Sequence, residues 1–263
     1  MNNNRWFSSN PDKAWVEKFF LIYSPIWMAS MGFQVFVDAS HRWSDGALLA
    51  YSFTVALLPL FIPMLLAGRY TSKPWYDSYW FKAYLYLAVF QFFGSYFGSE
   101  YFFDVLGMVY SYPTVTTTLD SALVGSGKQT VPLIMYPWAQ VFFLTYHATS
   151  NIALRALRRL GGGYVVFAIS VFVIGYFWAW METKSMANPM LATTFYYQKL
   201  DIMLKYGSAI YATYFIASFP IYYFIDEKRE NTWTWWQVVA GGLSASMLTL
   251  YMLDFSARWV GSL

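Results

Sequence analysis

Apolar runs about as long as a bilayer is thick alternate with short polar stretches along the chain. Seven such runs cover residues 19–37, 47–67, 80–103, 133–154, 164–186, 206–225 and 236–255. A helix needs roughly 20 predominantly apolar residues to cross the hydrocarbon core. The pattern therefore predicts an all-α protein: a polytopic transmembrane helix bundle of about seven spans, forming a single integral membrane domain over residues 1–263. The first run is the shortest and contains Pro25. The second contains Pro59 and Pro63 and is expected to kink, because proline removes a backbone donor inside a helix. The fifth either includes Glu182 or stops just short of it.

The polar interruptions orient the bundle. With seven spans, the N-terminal flank and the connections 2–3, 4–5 and 6–7 share one side. That side carries Arg5, Lys13, Lys18, Arg69, Lys73, Lys82, Arg155, Arg158, Arg159, Lys228 and Arg229. The opposite side carries Arg42, Lys128, Lys184, Lys199, Lys205 and Arg258, a split of 11 against 6. The positive-inside rule then places the N-terminus in the cytoplasm. The N-terminus is polar and lacks a signal-peptide core, so the first span is expected to serve as its own anchor. The longest connection, residues 104–132, contains VGSGKQ and the threonine-rich TVTTT; it lies on the non-cytoplasmic side, where it is expected to cap the bundle.

Composition agrees with this reading. Hydrophobic residues make up 58% and charged residues 12% of the 263-residue chain, about half the charge of a soluble domain. Mean hydropathy is +0.37. Aromatic residues reach 23%, more than interfacial belts alone require, and flat ring surface suits a large, flat, apolar ligand. The absence of cysteine excludes disulfides, thiolate catalysis and iron–sulfur ligation. The two histidines and scattered carboxylates have no metal-ligand spacing, and no metal is expected. A net charge of +3, drawn from loops, does not suit nucleic acid.

Polar groups inside apolar runs are the candidates for function. His147 and Asn151 are four apart and share a helical face. As a pair they would hold the imidazole in one tautomer, or either could simply bond a neighbouring helix. Tyr146 points about 100° away from them. Glu182 lies near the end of the fifth run, with Trp178 and Met186 on its own face. A carboxyl in apolar surroundings favours its neutral form, the state a general acid needs; the alternative is a helix-end carboxylate paired with Lys184 or facing water. Glu100 and Asp104 are four apart and could share a proton or mark an interface. Gly94 and Gly98 form a GxxxG at which another helix could approach closely. Asp254 is placed to pair with Arg258, and Asp226 begins a charged stretch at the cytoplasmic end of the sixth run. The charge census places His147 toward the cytoplasmic half and Glu182 nearer the opposite surface, so His147 could instead act with a carboxyl near Asp226.

Several segments, in order, resemble the cycloeucalenol cycloisomerase family of sterol biosynthesis. They are IYSPIW at 22–27, IPMLLAGR at 62–69, the YW–KA pattern at 79–83, YFFDVLG at 101–107, YHATSN at 146–151, METKSMAN at 181–188 and YATYFIASFPIYYFIDEK at 211–228. The resemblance implies an isomerase that opens the 9β,19-cyclopropane ring of a 4-methyl cyclopropyl sterol without a cofactor. An acid protonates C19, positive charge develops at C9, and a base takes the C8 proton. In this reading Glu182 is the donor, His147 oriented by Asn151 the base or relay, and Glu100 the reserve acid. Tyr101, Tyr146 and Trp178 would line the cation, with Phe143, Asn151 and Asp226 completing the substrate-binding set. The partners implied are the sterol and membrane lipid, in the endoplasmic reticulum of a eukaryote or the inner membrane of a bacterium. Two alternatives are a Δ8–Δ7 sterol isomerase and a non-catalytic sterol-binding protein.

Overall fold

A computed structural model of the chain describes residues 6–260. Arg5, counted above with the N-terminal flank, lies outside the described residues.

Helices form at all seven apolar runs. The first, α1 (Pro11–Phe36), is capped by the Asn10 side chain, which accepts from the Asp12 amide, with Pro11 in the first turn. A short turn, α2 (Ala39–Arg42), leads to α3 (Asp45–Tyr70), capped in the same way by Ser44. The expected kink in this run does not interrupt the helix, which is continuous through Pro59 and Pro63. Next come α4 (Tyr79–Phe93), a π-helical turn (Gly94–Gly98) and α5 (Ser99–Leu106), which together form one rod. Strand β1 (Met108–Tyr110) opens the long connection that ends at α6 (Met135–Arg158). Helix α7 (Gly163–Met186) includes Glu182. Strand β2 (Phe195–Tyr197) pairs antiparallel with β1. The chain then passes through α8 (Leu200–Ile202) and a second π-helical turn (Met203–Gly207) into α9 (Ser208–Phe224), and finishes in α10 (Trp235–Val260).

Four of these helices, α1, α3, α7 and α10, are individually long and apolar enough to cross a membrane. Their outward faces agree: Ile22, Phe36, Leu65, Val165, Phe172, Leu248 and Phe255 are all exposed. Apolar surface this extensive belongs against lipid, since soluble monomers rarely expose contiguous patches beyond a few hundred Å².

Helix α6 is the hub and packs against α1, α3, α4, α7 and α9. The GxxxG lies opposite a side chain rather than a helix backbone. A Cβ on Gly94 would stand 3.0 Å from the Tyr214 ring, and one on Gly98 1.7 Å from its hydroxyl oxygen. The two glycines therefore form the seat of one aromatic ring from α9.

An ion-paired clamp joins four helices at one end of the bundle. Arg155, at the end of α6, is bidentate to Glu227 (2.7 and 2.8 Å) and also bonds both oxygens of Glu17 (2.7 and 3.1 Å). Lys13 donates to the Tyr223 and Ile225 carbonyls at the C-terminus of α9, each at 2.7 Å, and pairs with Glu227 at 3.0 Å. Lys82 pairs with Asp226 at 2.9 Å and Asp77 at 2.8 Å. Asp226 adopts a left-handed conformation (φ 48°), which Asp tolerates better than most residues, and accepts from the Trp233 amide. Lys13, Glu17, Lys82 and Asp226 are essentially inaccessible. Their charges are affordable only because each is paired and further hydrogen-bonded. At the other end, Asp45 accepts from Thr116 and Thr117, and β1 pairs with β2.

Removing Arg155 leaves two carboxylates without their fork-shaped partner. Arg155→Ala is expected to cost about 3–5 kcal/mol, seen as a lower thermal unfolding midpoint in detergent; a midpoint equal to wild type contradicts the clamp. The same cluster predicts an acid limb. Burial pushes the Glu227 carboxyl up, but hydrogen bonds from Arg155 and the Lys13 charge outweigh it and hold it below its ordinary value of 4.5. A carboxylate depressed in this way stabilises the fold fully above its unfolded-state value and less as pH falls through the folded one. Midpoints should therefore decline below pH 4.5, and Glu227→Gln should weaken that decline.

Candidate active site

Tyr146 and His147 are neighbours in α6, so their side chains leave the helix about 100° apart, and the structure sends them to different places. His147 is fully buried in an aromatic cage of Phe143, Phe219, Tyr222, Tyr86 and Phe90. Its Nδ1 lies 2.7 Å from the Phe143 carbonyl and its Nε2 2.9 Å from the Ser218 hydroxyl. A carbonyl only accepts, so Nδ1 carries a hydrogen and donates it, and Nε2 accepts from Ser218. The expected His147–Asn151 pair does not form. The ring instead bonds back one turn and across to α9, while Asn151 donates to Glu17 (3.2 Å) and Tyr79 (3.4 Å) at the edge of the clamp. Asp226 likewise belongs to the clamp through Lys82, which removes it from the surroundings of His147.

Tyr146 faces the opposite way, toward α7. Its ring lies 5.0 Å from Trp178 and 5.2 Å from Phe215. Here two clefts meet. The inner one encloses about 890 Å³ of atom-free space, open at its mouth. Its wall includes Gly94, Ser95 and Ser99 from the α4–α5 rod, Met108, Tyr110 and Tyr112 from β1 and beyond, and Trp138, Phe142 and Phe143 from α6. Glu182, Thr183 and Met186 of α7, Phe195 and Tyr197 of β2, and Tyr211 and Tyr214 of α9 complete it. The outer cleft, about 860 Å³, lies between α1 and α7 and includes Trp27, Tyr146, Trp178 and again Glu182.

Among the described residues, Glu182 is the only carboxyl lining either cleft, and it lines both. The hydroxyls of Tyr211 and Tyr146 face it. Its Oε2 has no hydrogen-bond partner among the described residues. The pairing with Lys184 does not form: no ion pair involves Glu182 among the described residues, because Lys184 is exposed on a different face of α7. The π-helical turn at Gly94–Gly98 re-aims the rod so that Ser95 and Ser99 reach the inner cleft, a use of the π turn that recurs at functional sites.

Of the residues read from the sequence, Glu182, Tyr146, Trp178 and Phe143 are brought to the clefts. Glu100 is buried elsewhere, beneath the loop at Gly125, and Tyr101 is partly exposed on the side of Asp254 and Arg258. Asp254 and Arg258 form their expected pair at 3.2 Å. Sequence reasoning missed the tyrosine ring around the inner cleft. Tyr211 and Tyr214, three apart in an apolar helix and hence on one face, carried a readable signal. Tyr110, Tyr112 and Tyr197 carried none, because a strand pairing across the chain brings them together.

The arrangement defines a helical membrane protein with a carboxyl, Glu182, set among aromatic and apolar side chains where two clefts meet. No family model and no solved structure matches the chain. Among curated proteins it is similar to cycloeucalenol cycloisomerase of Arabidopsis thaliana, 34% identical over 266 residues, spanning 97% of this chain and 89% of that protein. The chain belongs to the cycloeucalenol cycloisomerase family.

The seat of Tyr214 gives a test of the inner cleft. In Gly98→Ala the new methyl displaces the Tyr214 hydroxyl into the space the ligand needs, and overpacking of this kind costs about 1–3 kcal/mol. The variant should raise KM and lower the thermal midpoint. Gly68→Ala, whose Cβ meets nothing within 4 Å, should leave KM unchanged and not lower the midpoint.

Proposed function

We propose that this enzyme opens the cyclopropane ring of a 4-methyl 9β,19-cyclopropyl sterol, with Glu182 as the proton donor. The observation that carries the assignment is the position of Glu182 at the junction of both clefts, faced by tyrosine hydroxyls and without a cation among the described residues. A carboxyl in such surroundings is more stable neutral than charged, and so holds the proton the reaction consumes.

In the first step the Glu182 O–H bond breaks, its proton forms a C–H bond at C19, and the C9–C19 bond opens to leave positive charge at C9. In the second, the C8–H bond breaks, its electrons form the C8–C9 double bond, and the Glu182 carboxylate takes the proton. The bridge and the departing hydrogen lie on one face of the sterol, so one carboxyl serves both steps and the enzyme returns to its starting state. Tyr146 and Tyr211 steady the transient carboxylate, and the rings of Phe143, Tyr214 and Trp178 offer π faces to the cation, worth about 0.5–2 kcal/mol each. His147 has both ring nitrogens engaged and lines neither cleft, which favours a supporting role behind Tyr146. Glu100 lines neither cleft, which argues against its use as the acid.

Glu182→Gln keeps the shape and loses the proton. Turnover of cycloeucalenol in membranes should fall about 10²–10⁴-fold and lie below that of His147→Gln. Wild-type turnover by Glu182→Gln at normal protein level removes the assignment. In deuterated water, mass spectrometry of the wild-type product should find deuterium in the new angular methyl group.

All seven rods are read as spans, with the N-terminus and the clamp in the cytoplasm. The contacts between flanks support this. The N-terminal flank and connections 2–3, 4–5 and 6–7 meet in the clamp, and connections 1–2, 3–4 and 5–6 meet at the other end. The excess of Lys and Arg on the clamp side supports the orientation. The chain has no native cysteine, so single cysteines report cleanly. An impermeant maleimide should label Lys228→Cys only from the cytoplasmic side and Ser126→Cys only from the other; labelling of both from one side contradicts an odd number of spans between them.

A further inference from the structure

The outer cleft is open on the face of the bundle that carries exposed apolar residues. Helices α1 and α7 each pack against α6, but they do not form a packed pair with one another, and the cleft occupies the space between them. Its lips are exposed: Met28 is 45% accessible on α1 and Met181 38% on α7. Val35, also exposed on α1, lines the same cleft. Its floor is Phe142 and Tyr146, and its inner end is Glu182. Met31, Phe142, Glu182 and Met186 line both clefts, so only these side chains separate the outer one from the inner one.

We infer that the gap between α1 and α7 is a lateral portal through which a sterol passes from the bilayer to Glu182. Three observations favour a sterol over a lipid chain resting in a surface groove. The route ends at a carboxyl, which an acyl chain has no use for. The wall is aromatic, with the Trp178 and Tyr146 rings 5.0 Å apart and tilted by 44°, a stiff surface that suits a rigid fused-ring molecule better than a flexible chain. The lips are methionines, unbranched side chains that move aside at low cost. A sterol dissolved in lipid that entered from water would first have to expose its rings, at about 25 cal/mol for each Å² of apolar surface; a side entrance avoids this. The inference rests on the proposed function only in taking the substrate to be a sterol, not on which group donates the proton.

Gly32 is the point at which to test it. It is exposed, it lines the outer cleft, and a Cβ built on it meets nothing within 4 Å, so a small side chain fits without strain. Gly32→Cys in this cysteine-free chain should turn over cycloeucalenol like wild type. Benzyl methanethiosulfonate should then place a ring in the portal and lower kcat/KM roughly tenfold or more; dithiothreitol, which removes the ring, should restore it. Bound substrate should slow the modification. Gly68→Cys, exposed on α3 with open space at its Cβ, should be modified without effect. Met28→Cys repeats the test if Gly32→Cys does not assemble. Unchanged kcat/KM after complete modification of Gly32→Cys or Met28→Cys overturns the portal and leaves the cleft as a lipid-filled groove. Loss on modification together with full activity in Glu182→Gln keeps the portal and removes the acid assignment instead.

Discussion

A carboxylate out of reach of water needs a cation, a set of hydrogen-bond donors or its proton, and this bundle uses that constraint in two opposite ways. At the clamp, Glu17, Asp226 and Glu227 are each matched by a lysine or arginine at close range. The matching joins the N-terminal flank to the ends of α4, α6 and α9, and so sets the relative heights of four helices. At the clefts, Glu182 receives hydroxyls and no cation among the described residues. The same physics that locks one end of the molecule leaves Glu182 without a charged partner among the described residues toward the other.

Helix α6 carries both uses. Its last turn supplies Arg155 and its middle supplies Tyr146 and His147. Asn151 and the Glu17 it bonds hold the clamp end of α6 against α1, and the His147–Ser218 bond holds its middle against α9. Both fix the rotation of α6 about its axis. A rotation of one residue, about 100°, would exchange Tyr146 for His147 at the cleft. The polar interactions of α6 outside the clefts therefore decide which side chain faces the clefts.

The aromatic content is divided between two jobs. Tyr86, Phe90, Phe219 and Tyr222 make a closed cage around the imidazole and touch no cleft. Tyr110, Tyr112, Tyr197, Tyr211 and Tyr214 form an open wall with hydroxyls available around the inner cleft. Tyr214 is held there by the absence of side chains at Gly94 and Gly98, so a motif that elsewhere brings two helices together here makes room for one ring.

The hydrophobic pattern alone determined the seven helical segments, because the length of an apolar run and the helical rise are local quantities, and the same holds for the candidacy of Glu182, Tyr146 and Trp178, which lie one turn or less from each other or from an apolar face. Spacing also placed Asp254 beside Arg258. It did not determine what His147 and Asn151 would bond. Residues four apart share a face, but a shared face does not oblige them to bond each other when a carbonyl one turn back and hydroxyls on neighbouring helices compete. Asp226 read as the start of a charged stretch and as a substrate contact, and only the approach of Lys82, far away in the chain, made it part of the buried clamp. The tyrosines of β1 and β2 reach the cleft through a pairing that spans most of two connections, which no local pattern encodes. Partners of this kind are chosen by how the helices pack, and that packing is settled by all of the buried contacts together.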